Sequence, residues 1–287
     1  MTTPCSSHQD SSSQRLPAVA VVGGHGKTGR RIAAKLEALG HDVRVLGRRA
    51  TPAFDWAAPE GWAEALAGAS AAYVAFAPDL AVPGGPDAVT ELTRVALGVG
   101  CQRVVLLSGR GEAEAQRAER MVLEACPAAT VVRCAWFAQN FTETDFAELV
   151  RGGSLTLPGG EAAEPFVDVE DIADVAVAAL TDATHAGEVY ELTGPAALTL
   201  GEVAAVLSAV GGAPVGYVPI SLADLEAGLR ADGVPEEVVG LMGFLFGSVF
   251  GRNPSVADGV RRALGRPPTD LRTALVRDRE RAAASMV

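Results

Sequence analysis

Residues 18–30 read AVAVVGGHGKTGR, and Gly23, Gly24, Gly26 and Gly29 follow directly on an apolar run. A loop of this kind lets the backbone approach a pyrophosphate, whose charge then sits at the positive end of the next helix. Ala18 to Val22 has the composition of a strand buried on both faces. Beyond the loop, Ile32, Ala33, Leu36 and Leu39 recur at helical spacing. Strand, glycine loop and helix in this order predict a dinucleotide site, with Gly23, Gly26, Lys27, Thr28 and Gly29 against the cofactor. The other reading of the loop is a glycine-rich turn without a ligand.

The second strand selects the dinucleotide. HDVRVL at 41–46 is followed by Gly47, Arg48 and Arg49. Sites for NAD carry an Asp or Glu here, which accepts from the ribose 2′-hydroxyl. A guanidinium is permanently charged and binds phosphate bidentately. Arg48, with Arg49 or Lys27 helping, therefore predicts NADPH; the alternative is a solvated pair of surface arginines.

The elements that must hold this site alternate strand and helix. AAYVAF (71–76), RVVLL (103–107) and TVVRC (130–134) read as buried strands. Helical stretches lie at 62–66, 87–97 and 112–124. The rhythm implies right-handed crossovers and a doubly wound parallel sheet, with ligands beyond the carboxyl ends of the strands. Those ends add Ala77, Pro78, Ser108 and the stretch 135–137 to the candidate site. Further on, Asp168 reads as the cap of a helix, 188–192 as a strand and 198–210 as a helix. Beyond Pro219 the chain reads as helical, with breaks at 233–235, 251–254 and 265–268. The predicted class is α/β: a Rossmann-type doubly wound parallel sheet with a smaller, mainly helical C-terminal substrate region. Residues 1–15 read as a polar disordered tail, 16–150 as an NADP-binding unit to which 164–194 returns, and 195–287 as the substrate-binding region.

Within that region, Val238, Val239, Leu241, Met242, Phe244, Leu245, Phe246, Val249 and Phe250 are apolar on nearly all sides of a helix. Such a segment must bury more than one face. It reads as a lid at about 221–251, as a core helix, or as a dimer face. As a lid it would bring Phe246 and Phe250 to a substrate lying on Trp136, Phe137, Phe141 and Phe166, and would suit a large flat hydrophobic ligand.

The net charge of −11 argues against nucleic acid or an anionic membrane as partner. No apolar run is long enough to cross a membrane. The start carries no apolar stretch of the secretory type. Cys5, Cys101, Cys126 and Cys134 are widely spaced, form no CxxC pair and read as reduced thiols without a metal. A cytoplasmic protein, monomeric or homodimeric and acting on a small hydrophobic molecule, is expected.

Together the GGHGKTG loop, Arg48 and VVRCAWFAQNF resemble the NmrA-like branch of the atypical short-chain dehydrogenase/reductases. Arg133, Phe137 and Asn140 match that branch's LRPxxFxxN stretch, with Cys134 where proline is usual. FVDVEDIADVAVAAL and YELTGPAALTLGEVAAVL resemble later landmarks of the same family. The resemblance implies a substrate contact at Asn140. It also implies an adenine contact at Asp55 after a short third strand, against the alternative of a capping Asp. The wider superfamily reduces carbonyls with a Tyr-x-x-x-Lys pair. This chain has only Lys27 and Lys35, and no tyrosine has Lys four residues later. Where the pair would stand the chain reads EAEAQRAER (112–120). Ser108 resembles the superfamily's carbonyl-binding serine, or is a turn residue bonded to its own backbone.

Two functions follow from that missing pair. One is NADPH-dependent reduction of a ketone on a large apolar, polycyclic aromatic polyketide, or of a quinone, with the proton drawn from water or from a phenol on the substrate. The other is a non-catalytic NAD(P) sensor that binds a protein partner.

Overall fold

The computed structural model describes residues 16–284. The tail expected at 1–15, with Cys5 and His8, lies outside the described residues.

Apolar alternation builds the sheet. In β1 (Leu16–Val22), Val19 and Val21 are buried on one face and Ala20 and Val22 on the other. β2 (His41–Leu46), β3 (Ala69–Val74), β4 (Arg103–Gly109) and β5 (Thr130–Cys134) follow in the chain. After β6 (Ser154–Leu157) and β7 (Ala163–Glu164) comes β8 (Val189–Leu192). The six-stranded parallel sheet has the order β2-β1-β3-β4-β5-β8. Strand order reverses between β1 and β3, where a doubly wound sheet opens a crevice for ligand.

Helices cover both faces. α1 (Lys27–Ala38) packs on one side; α2 (Trp62–Leu66), α3 (Gly85–Gly98) and α4 (Ala113–Ala125) pack on the other. Two short helices follow β5: α5 (Asn140–Glu143) and α6 (Phe146–Arg151). α7 (Val169–Thr181) returns to the face of α1. Asp168 caps α7 by accepting from the Glu170 N–H, as its position predicts, and also pairs with Arg277 at 2.6 Å.

Most of the remaining chain joins a third apolar cluster, while Val260, Ala263 and Leu264 pack into the cluster of α7 and β8. β9 (Leu198–Thr199) pairs with β7, and α8 (Leu200–Gly211) begins in a capping box of Thr199 and Glu202. β10 (Gly216–Pro219) pairs with β6. α9 (Leu222–Ala231) and α10 (Glu236–Phe244) continue through a π turn at Leu245–Val249, and α11 (Gly259–Leu264) and α12 (Leu271–Ala284) complete the described chain.

Two expectations are corrected. The strand expected before Asp55 is a turn, since residues 47–58 form no strand. The apolar segment at 238–250 is also not buried all round: Val238 and Phe244 are each 39% exposed, because α10 presents most of its surface to solvent and fully buries only Val239. Among the described residues no helix is long and apolar enough to cross a membrane.

Candidate active site

The glycine loop carries out the geometry its sequence implies. Gly23 adopts a φ of +76°, open to glycine at little strain. A Cβ on Gly29 would lie 2.4 Å from the Gly23 carbonyl oxygen, so α1 reaches the turn only because that Cβ is missing. α1 begins at Gly26 with no side-chain cap, which leaves first-turn N–H groups without intrahelical partners.

Those N–H groups open on a groove of about 1240 Å³. Gly23, Gly26, Lys27 and Thr28 line one part of it, and Arg48, Arg49 and Asp55 another. Ala77 and Pro78 line it beyond β3. Gly29 does not line the groove; it acts through the close approach just described. The buried Thr28 hydroxyl accepts from Tyr73 at 2.8 Å. Arg48 and Arg49 are exposed and make no ion pair among the described residues. Asp55 lines the groove, and one of its carboxylate oxygens accepts from the Ala57 N–H at 3.0 Å. Donors at a helix start and two free guanidiniums by β2 fit the diphosphate and 2′-phosphate of NADPH, which when bound supplies hydride.

A second cavity, of about 310 Å³, adjoins the groove. Lys27, Phe76, Pro78 and Phe137 line both. Its walls also include Leu80, Leu107, Trp136, Asn140, Leu241 and Leu245. Trp136, Phe137 and Asn140, the residues assigned to substrate in the sequence, thus share one cavity wall. Phe246 and Phe250 do not line this cavity. They are 8% and 5% exposed and pack on the Trp136 ring at centroid distances of 5.0 and 5.2 Å. Their place belongs to Leu241 and Leu245, one helical turn apart.

Ser108 also lines the cavity, but neither expected role is the one seen. Its hydroxyl donates to Glu119 Oε1 at 2.5 Å. Glu119 is buried and also accepts from Arg133, which reaches on to Glu191 at 3.3 Å. Arg110 meets the same Glu191 at 2.5 Å. Ser108 is thus tied into an ionic network behind the ends of β4 and β5, with its proton committed.

The cavity contains an acid that sequence reasoning missed. Glu112 and Asp79 both line it. Burial pushes the Glu112 carboxyl up to about 8, helped by the Asp79 carboxylate beside it and then by Glu119. Its Oε2 is buried without a hydrogen-bond partner. Burial lowers the Lys27 ammonium in the same wall, against the partly opposing pull of Glu143. The signal lay in EAEAQRAER, whose first residue is Glu112 and whose eighth is Glu119.

The tyrosines stand apart. Tyr73 is fully buried against Thr28. Tyr190 meets His185 Nδ1 at 2.8 Å. Tyr217 donates to the Leu157 carbonyl and accepts from the Gly160 N–H. None lines the second cavity. Cys101, Cys126 and Cys134 are buried free thiols, and no metal-binding cluster occurs among the described residues. A third cavity of about 920 Å³ between α1 and α12 shares no lining residue with the other two.

No family model matches the chain. Bacillus subtilis YesF, an uncharacterized oxidoreductase, is 30% identical over 265 residues, spanning 88% of this chain and 92% of its own. The NAD(P)H azoreductase of Xenophilus azovorans is 31% identical over 275 residues, covering 87% of this chain and 93% of that protein. Among solved structures, Citrobacter sp. triphenylmethane reductase complexed with NADP(H) shares the fold at a TM-score of 0.71 and 18% identity, over 91% of this chain and 99% of that one. The NADPH-dependent quinone oxidoreductase of Escherichia coli complexed with NADPH does so at 0.70 and 21%, over 90% and 99%. With its parallel sheet, glycine loop and near full-length relatives, the chain belongs to the NAD(P)-dependent oxidoreductases of the NmrA-like, atypical short-chain dehydrogenase/reductase family.

Proposed function

We propose that the protein reduces a ketone on a large, flat, apolar molecule, of the polycyclic aromatic polyketide class typified by angucyclinones, with NADPH as donor and without a Tyr-Lys pair. The observation that carries this reading is the junction of two cavities at Lys27, Phe76, Pro78 and Phe137. One has Arg48 and Arg49 in its wall; the other sets the rings of Phe76, Trp136 and Phe137 and four leucines beside the ionisable Lys27, Asp79, Arg110 and Glu112. In this reading Gly23, Gly26, Lys27, Thr28, Gly29, Arg48, Asp55, Ala77 and Pro78 hold or shape the NADPH site. Trp136, Phe137, Asn140, Leu241 and Leu245 receive the substrate, Ser108 braces its floor, and the segment at about 221–251 supplies its cover. Flat aromatic surfaces stack well on such walls, and the volume stands at the lower end of ligand-sized cavities.

A quinone is the second reading. It is supported by the 29% identity over 161 residues to quinone oxidoreductase 2 of Escherichia coli, which covers 53% of this chain. The test is label transfer from NADPH deuterated at the transferring position. Deuterium on the carbinol carbon of a tetracyclic aryl ketone supports the first reading. NADPH oxidation with phenanthrenequinone alone supports the second. Tight NADPH binding without turnover of either acceptor would point instead to a sensor.

A further inference from the structure

Reduction of a carbonyl ends with a proton on oxygen, and none of the three tyrosines reaches the cavity where that oxygen would lie. We propose that Glu112, sharing a proton with Asp79 in the cavity formed by Phe137, Leu241 and Leu245, is the proton donor to the substrate oxygen. This assignment rests on the reductase reading.

Four observations carry it. Glu112 is 7% exposed, lines the cavity and has a buried carboxyl oxygen with no donor to satisfy it. It precedes α4 in the capping position, yet its side chain bonds no N–H of that helix, so capping does not explain the carboxyl. A Cβ on Gly109 would lie 2.1 Å from Glu112 Oε1, so the carboxyl rests against the end of β4 in a place only glycine leaves open. Asp79, a second carboxyl from the loop after β3, lines the same cavity, and two carboxylates side by side repel unless one keeps a proton. Glu112, buried, is the one that keeps it.

The other charged groups facing Glu112 do not neutralise it. Glu119 of α4 adds negative charge. Arg110 is committed to Glu191, the Asn253 carbonyl and Ser255. Lys27 of α1 lines the same wall but forms no ion pair among the described residues. An acid held neutral near pH 7 has the protonation state a general acid requires.

The step balances simply. As the carbonyl carbon gains its C–H bond from bound NADPH, which is oxidised to NADP⁺, the C=O π pair moves to oxygen. The Glu112 O–H bond breaks, its proton forms the new alcohol O–H, and the carboxylate left behind is reprotonated from water. A quinone oxygen would be protonated in the same way.

The experiment compares wild type, Glu112→Gln and Asp79→Asn. Melting temperature and NADPH affinity serve as folding controls, and turnover is measured with phenanthrenequinone and a tetracyclic aryl ketone. Glu112→Gln should lower kcat about 100-fold, typical of losing a general acid, with unchanged NADPH affinity. The wild-type rate should fall above about pH 8, where Glu112 loses its proton. Asp79→Asn should move that alkaline limb to lower pH, because it removes a charge that holds the proton on Glu112. A structural role alone would not move the limb. In ligand-free protein at pH 7, the infrared carbonyl band of a protonated carboxyl should weaken in Glu112→Gln. A fully active Glu112→Gln with the wild-type pH profile would overturn the donor and leave the reductase reading standing. If wild type transfers no label to any acceptor, both fall.

Discussion

At the scale of the residue, the proposed choice of NADPH over NADH is assigned to Arg48. It stands exposed in the wall of the groove, beside Arg49 and without an acidic partner that would have to be displaced. A charge-assisted contact to phosphate contributes about 1.5–3 kcal/mol, or roughly one to two decades in affinity. Arg48→Ala should therefore weaken NADPH binding by roughly that factor and leave NADH binding nearly unchanged, as measured by fluorescence titration of both nucleotides. An equal loss for the two would show that Arg48 does not read the 2′-phosphate. Arg48 was singled out from the strand before it alone. Glu112 was not. Its chemistry requires Gly109 to leave room and Asp79 to arrive from another loop, and linear spacing encodes neither. The same stretch was informative only for the Tyr and Lys it lacks.

At the scale of the element, the sheet could be read because its strands are short apolar runs bounded by turn residues, and burial on both faces leaves them few alternatives. The cover region was harder. An apolar run predicts burial but not which member meets the ligand. Leu241 and Leu245, four residues apart, line the cavity while Phe246 and Phe250 pack on Trp136. The two pairs should therefore respond differently to substitution. Phe246→Ser empties a packed site, and truncating a buried Phe costs about 3–5 kcal/mol. It should lower the melting temperature sharply and weaken substrate and cofactor binding together. Leu245→Ser should leave the melting temperature within a few degrees and raise KM for an aryl ketone by roughly tenfold, as expected for lost apolar contact of about 1–2 kcal/mol. Calorimetry and steady-state kinetics on the two variants separate these effects. Matching losses of stability would show that Leu245 is core as well.

At the scale of the whole molecule, the carboxyls divide into two sets that pull stability in opposite directions with pH. Glu170 is held down to about 2 by Lys35 and Arg281 despite the opposing effect of its burial, and Glu143 is lowered by Arg31 and Arg30. Their folded-state pKa values lie below the unfolded value near 4.5, so their stabilisation is present above that pH and lost as pH falls toward 2. Glu112, near 8, and Glu164, near 7, are raised chiefly by burial, the second while accepting from the Gly251 N–H. Their contribution is fully present below about pH 4.5 and is lost as pH rises through 7 and 8. The ligand-free protein should thus be most stable at about pH 5 and lose stability steadily toward pH 9. Net charge grows more negative over the same range, and self-repulsion would give a slope of the same sign. The double variant Glu112→Gln/Glu164→Gln separates the two causes, since it removes the buried ionisations and changes the surface little. Its melting temperature between pH 5.5 and 8.5 should be markedly flatter than that of wild type. An identical slope in both proteins would mean that surface repulsion governs the decline, and that Glu112 and Glu164 enter the folded state already ionised.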